Sequence, residues 1–161
     1  MTITAKVSGI PDLRAALAGI GPKLRVRALR NALAAGARLV QRTARAQTPV
    51  LPASSLAVRK GYRKPGTLRK AISVRTSKIA RRTGDVGVFV NVRPAKRGQR
   101  GANNPNDPFY WRFVEFGTVT GTRAAGMLQA GARKLPEALQ VFINTIGPQI
   151  QRLNKPRAPA P

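Results

Sequence analysis

"PKLRVRALRNALAAGARLVQRTARAQ", residues 22–47, decides the fold. Pro22 suits a first helical turn, where its missing N–H costs nothing, and Pro49 stops the pattern just after Gln47. Leu29, Leu33, Gly36, Ala37, Val40 and Ala44 recur at three- and four-residue spacing, so one face of this helix is buried. At 1.5 Å per residue it spans roughly 37 Å, enough to cross a small domain. The other face carries Arg25, Arg27, Arg30, Arg38, Arg42 and Arg45, with no acid among them. Arginines four apart repel each other and gain nothing unless a polyanion or an acidic protein surface faces them.

The same imbalance runs through the chain. Its 161 residues hold thirty Lys and Arg against five Asp and Glu, a net charge of +25. From Leu13 to Gly84 there is no acid at all, while eighteen of the basic residues lie there. A charge of this size describes partners and solubility, not fold. Histidine and cysteine are absent, which removes the commonest general base, the commonest zinc ligand, disulfides and thiol chemistry. Asp12, Asp85, Asp107, Glu115 and Glu137 are scattered, and all but Glu115 sit beside Pro or Gly at capping or turn positions. "GIGPKLR" near Gly19 lacks both the Lys-Ser/Thr of a phosphate loop and the glycine spacing of a dinucleotide site. The expectation is no enzyme, no metal and no cofactor. No apolar run approaches eighteen residues, and "MTITAKVSGI" lacks the regions of a signal peptide, which predicts a protein made in a cytoplasm with no membrane partner.

Working outward from the helix, "TITAKV" at Thr2–Val7 alternates as a strand does, and a short helix follows from Pro11 to about Ala18. Residues 48–66 hold three prolines and read as a long loop. Ile72–Ser77 and Asp85–Val92 predict an antiparallel pair joined by "ARRTG", and Arg93–Pro108 a mobile basic loop. Leu135, Leu139, Phe142, Ile143, Ile146, Ile150 and Leu153 mark a C-terminal helix with a kink or break at Gly147-Pro148. The predicted class is α+β: a small antiparallel sheet packed against the long helix, a short aromatic helix and the C-terminal helix, with long mobile basic loops. One domain over residues 1–153 is expected, with 154–161 as an extended or disordered arm.

The aromatic helix is "FYWRFVEFGT", residues 109–118, which holds five of the eight aromatics and one of the five acids. Asp107 as N-cap, Pro108 in the first turn and Gly117 past the end predict a helix from Pro108 to about Phe116. Spacing puts Phe109, Phe113 and Phe116 on one face, toward the sheet and the long helix. Trp111 then lies on the other flank, one turn from Glu115, and these two are expected at a subunit contact. In a plainer reading all five aromatics fill the core, and it fits the phenylalanines equally well.

This element resembles the "fvEfGT" signature of the HK-ninety-seven gene-product-ten family of tailed-phage head-tail joining, neck or tail-completion proteins, also described as minor tail proteins. An N-terminal strand ending in Gly9, a long helix closing on Thr48-Pro49 and "GTLRKAISV" at Gly66–Val74 follow in the family's order, so the similarity spans about Ile3–Ala132. One departure is "RAAGMLQAGA", residues 123–132, where the family has a Pro-Phe segment ending in Pro-Ala. The resemblance implies a structural virion protein, assembled in the host cytoplasm into a homo-oligomeric ring, a hexamer by family expectation, through which DNA passes. Its neighbours would be connector or head-closure proteins and tail-tube or terminator proteins. Cyclic rings use two different complementary patches per subunit. One patch is assigned to Trp111, Arg112, Glu115, Gly117 and Thr118, the other to the sheet edge or the long-helix face. Six subunits at +25 would total +150, so Arg25, Arg27, Arg30, Arg38, Arg42, Arg45, Arg93, Lys96, Arg97 and Arg100 are expected to face DNA or acidic neighbours. The alternative is a basic nucleic-acid-binding protein, ribosomal or nucleoid-like, for which the charge is typical. Against it, the run from Arg93 to Arg100 contains no aromatic to interleave with its cations.

Overall fold

In the computed structural model, which describes residues 15, 17–18, 20–119, 121 and 123–154, the arginine-studded stretch is one helix, α1, Pro22–Gln47. Thr48 closes it: its backbone N–H donates to the Arg45 carbonyl, and its buried hydroxyl donates to the Ala44 carbonyl at 2.7 Å. The buried residues are Ala28, Ala32, Gly36, Val40 and Ala44, a small-residue stripe repeating every four positions. Leu29, Leu33 and Ala37, expected on the buried face, flank that stripe half-buried.

Small side chains on the stripe let other helices approach the α1 backbone. Helix α7, Leu135–Asn154, runs antiparallel to α1. Its Ile146 and Ile150 cluster with Ala28, Ala32, Leu17 and Ile20, while its Ala138 sits over Gly36. A Cβ at Gly36 would stand 2.5 Å from the Ala138 carbonyl oxygen, so only glycine fits. Farther along, helix α6, Met127–Ala132, makes a second close approach. There a Cβ at Gly131 would meet the Val40 carbonyl oxygen at 2.9 Å. Helix α6 lies in "RAAGMLQAGA", where the sequence predicts no element.

The sheet has two antiparallel strands among the described residues, β1, Ile72–Thr76, and β2, Val88–Val92, with Ile72 opposite Val92 and Thr76 opposite Val88. Helix α3, Thr67–Ala71, leads into β1. Between the strands, "ARRTG" contributes to a further short helix, α4, Lys78–Arg82, capped by the Ser77 hydroxyl oxygen accepting from the Ala80 N–H. The sheet is fastened to α1 by side chains on one carbonyl. Gln41 Nε2 donates to the Ile72 oxygen at 2.8 Å, and Arg45 donates to it through Nη2 at 2.8 Å and Nε at 3.1 Å. Around that junction Ala44, Leu68, Ile72, Val92 and Met127 form a second core at the opposite end of α1 from the first.

Several boundaries differ from expectation for local reasons. The 48–66 loop contains a helical turn, α2, Leu56–Arg59. Helix α7 is continuous through Pro148, because one lost backbone bond is outweighed by the packing of Ile146 and Ile150 on either side. The strand expected at Thr2–Val7, most of the helix expected at Pro11–Ala18, the Leu153 side chain and the arm beyond Asn154 lie outside the described residues.

Gly36→Ala separates propensity from packing. Alanine gains about 1 kcal/mol of helix propensity, but overpacking against a backbone carbonyl costs about 1–3 kcal/mol. Urea denaturation is expected to show net destabilisation; a net gain would mean that the helices separate freely at this crossing.

Candidate functional site

The helix within "FYWRFVEFGT" is α5, Trp111–Phe116, shorter than predicted because Pro108–Tyr110 form a turn in which the Trp111 N–H donates to the Pro108 carbonyl. Asp107 does not cap it. Buried at 1% exposure, Asp107 turns its carboxylate the other way, Oδ1 accepting from the Ala95 N–H at 2.9 Å and Oδ2 from the Gly101 N–H at 2.6 Å. It thereby ties two points of the basic loop expected at Arg93–Pro108 to one carboxylate.

The faces of α5 are inverted from the sequence reading. Trp111 and Val114, with Tyr110 just before them, pack on the second core, whereas Phe113 and Phe116 are 53% and 65% exposed and Phe109 37%. The reason is Glu115, which shares the inward face at i+4 from Trp111. Only 2% exposed, its carboxylate accepts from the Leu128 N–H at 2.9 Å and the Gln129 N–H at 3.1 Å, in the first turn of α6. Its own carbonyl accepts from the Gly126 N–H, and the Val114 carbonyl from the Ala125 N–H. The chain that leaves α5 at Gly117 is therefore clamped back onto α5 when it returns. Gly117 makes the exit at φ +79°, a left-handed conformation that favours glycine. The sequence held a signal for this clamp: "AAGMLQ" offers no Ser, Thr, Asp or Asn to cap α6, so its first amides need an acceptor from elsewhere.

Glu115, expected at a subunit contact, thus has an internal role. Trp111 is half-buried with the Arg112 guanidinium 5.5 Å above its ring, and Gly117 and Thr118, just past the end of α5, are also half-buried. Burial lifts the Tyr110 phenol above its ordinary pKa, offset in part by the Arg63 charge and a backbone hydrogen bond at Leu68.

Of the expected basic surface, Arg27, Arg30, Arg38 and Arg42 are exposed on α1 and Arg25 is half-exposed. Arg45 is not free for a partner, being held by the Ile72 carbonyl. Arg93, Lys96, Arg97 and Arg100 are exposed on the cross-tied loop. The structure adds a group the sequence reading missed: Arg63 donates to the Ala102 carbonyl at 2.8 Å and lies 4.7 Å over the Phe109 ring, docking residues 59–64 against that loop. Among the described residues the one ion pair is Lys134–Glu137, on the surface.

An uncharged surface takes in part of the stripe itself, at Gly36, Val40 and Ala44. Between α1, β2, α6 and α7 a groove of about 420 Å³ is lined by apolar residues that include Leu33, Val40, Val88, Phe89, Leu139 and Phe142. No helix among the described residues is long and apolar enough to cross a membrane.

The family model described as "Bacteriophage HK97-gp10, putative tail-component" matches residues 12–117, which takes in α1, the sheet and α5 and ends on the glycine of "EFGT". No curated protein and no solved structure gives a significant match.

Replacing Glu115 removes the acceptor of two part-buried amides, those of Leu128 and Gln129. Hydrogen bonds to a charged acceptor are worth about 1.5–3 kcal/mol each, so Glu115→Ala is expected to cost about 3 kcal/mol or more in urea denaturation. Glu137→Ala, which removes an exposed pair and a first-turn carboxylate of α7, should cost no more than about 1 kcal/mol. Equal costs would contradict the clamp.

Proposed function

The chain belongs to the bacteriophage HK97-gp10 tail-component family, and from that premise we propose that it is a structural, non-catalytic ring subunit at the head-tail junction or the head-proximal end of the tail. DNA passes through the ring, and the ring stacks between connector or head-closure proteins on one side and tail-tube or terminator proteins on the other. Assembly takes place in the host cytoplasm, six subunits being the family expectation.

The observation that carries this reading is the pair of dissimilar apolar surfaces. Phe113 and Phe116 project from α5, with Val119 fully exposed just beyond, while the groove between α1, β2 and α7 is open and uncharged. A head-to-tail ring needs a knob and a socket on each copy, and a self-complementary dimer does not. We assign α5 as the knob and the groove of the next copy as the socket. The groove joins both candidates for the second patch, the long-helix face and the sheet. Aromatics bury about 150–250 Å² each, so two half-exposed rings supply roughly a third of the ~800 Å² per partner of a stable interface. The two apolar surfaces are also where contact between copies at +25 each meets least repulsion. Within this arrangement Glu115 acts from inside, fixing the direction in which α5 presents its phenylalanines. Trp111, Arg112, Gly117 and Thr118 flank the knob.

A knob variant, Phe113→Ser with Phe116→Ser, and a socket variant, Phe89→Asp, should each be monomeric by light scattering under conditions that oligomerise the wild type. Mixed, they should form a heterodimer and nothing larger, since each retains one sound surface. Homodimers of either variant would contradict head-to-tail closure. Photo-cross-links from position 89, in the groove, to residues 1–14 of the same chain would mark the socket as filled from within.

A further inference from the structure

We infer that the two basic loops, residues 59–64 and 93–100, form one shelf that binds the phosphate backbone of duplex DNA without regard to sequence. The proposal extends the ring reading by naming the DNA-contacting surface, but binding itself is measured on the isolated chain. The loops are about thirty residues apart in sequence, and two contacts bring them together. Arg63 Nη1 donates to the Ala102 carbonyl at 2.8 Å, and the Lys64 N–H donates to the Pro105 carbonyl at 3.4 Å. Arg63 is further held over the Phe109 and Tyr110 rings, at 4.7 and 5.5 Å. Arg59, Lys60 and Lys64 on one loop and Arg93, Lys96, Arg97 and Arg100 on the other are exposed. Neither loop contains an acid.

The one nearby acid is Asp107, and its use is the strongest part of the case. It is buried with both carboxylate oxygens occupied by the Ala95 and Gly101 amides. The acid that could have neutralised this loop instead shapes it. Its cations are left to an outside anion, and two points of the loop are held to one carboxylate, which lowers the entropy cost of binding. Residues 93–106 carry no large apolar side chain, and Tyr62 on the other loop is exposed; a duplex keeps its bases stacked and offers none to an aromatic, so cations on phosphates carry the contact. The α1 arginines are the competing surface. From Arg25 to Arg42 they are strung along about 26 Å of helix, whereas the loops gather their charges from two segments onto one place.

Two variants with the same reduction in charge separate these surfaces: Lys60→Gln, Lys64→Gln, Lys96→Gln and Arg97→Gln on the shelf, and Arg27→Gln, Arg30→Gln, Arg38→Gln and Arg42→Gln on α1. With a random-sequence 30-base-pair duplex read by fluorescence anisotropy, the shelf variant should lose at least about tenfold in affinity, and its log K against log salt slope should flatten by about 0.9 for each phosphate that is no longer neutralised. The α1 variant should change less than about threefold. A larger loss in the α1 variant, or equal losses, overturns the assignment. Lysine acetylation footprinting of the unaltered protein gives a readout free of folding effects. Duplex should protect Lys60, Lys64 and Lys96 but not Lys23 or Lys134, and protection of Lys23 instead would also overturn it. If polyglutamate of equal charge displaces the duplex and protects the same lysines at lower concentration, the shelf is a protein-docking surface and the proposal fails. DNA binding by a chain that forms no ring would sink the ring reading and leave this one standing.

Discussion

Everything on the functional side of this molecule depends on a buried carboxylate that ignores the cations around it. Glu115 lies in a chain with thirty Lys and Arg and gives its side chain to two backbone amides. An uncapped helix end buried against a core leaves donors that must be satisfied, and a carboxylate satisfies two at once. Asp107 solves the same problem for the basic loop. With two of its five acids committed inward to amides, the chain keeps its positive surface almost wholly uncompensated.

That allocation links the fold to its surfaces. The stripe of Ala28, Ala32, Gly36, Val40 and Ala44 lets α7 and α6 lie close on α1, and α6 in turn offers the amides that hold Glu115. Once Glu115 is inward, Phe113 and Phe116 have nowhere to go but out. Aromatic exposure here follows from a polar constraint in the core. Meanwhile, Arg45 and Gln41 seat the sheet on α1, and the groove opens between them and α7.

The extent of the long helix and the pairing of the strands were legible in the sequence. Pro22 and Pro49 bracket α1 where the helix begins and ends, and the two strands pair in the expected antiparallel sense. What could not be read was the choice between two faces of a six-residue helix. Spacing alone puts 113 and 116 together and 111, 114 and 115 together, and apolar content favours burying the first set. The decision rests on amides more than ten residues away, in a helix whose own pattern is too short to register. The basic loops failed to connect for a similar reason, since the Arg63 bridge joins segments with no shared periodicity. The resemblance to the family, by contrast, was legible in the "EFGT" residues, and the family model matches from residue 12 through Gly117. The structure gives each a place: Glu115 in the clamp, Phe116 outside, Gly117 at positive φ and Thr118 half-buried.

The central claim is a division of labour, in which apolar surfaces join copies of the chain and basic loops stay free for DNA. Amide hydrogen exchange on the free chain, on its assembled oligomer and on the oligomer with duplex DNA tests it most directly. The account predicts new protection on assembly at residues 111–119 together with 33–40, 88–90 and 135–142, and protection at 59–64 and 93–101 only when DNA is added. Protection of the basic loops on assembly alone, with residues 111–119 unchanged, would contradict it.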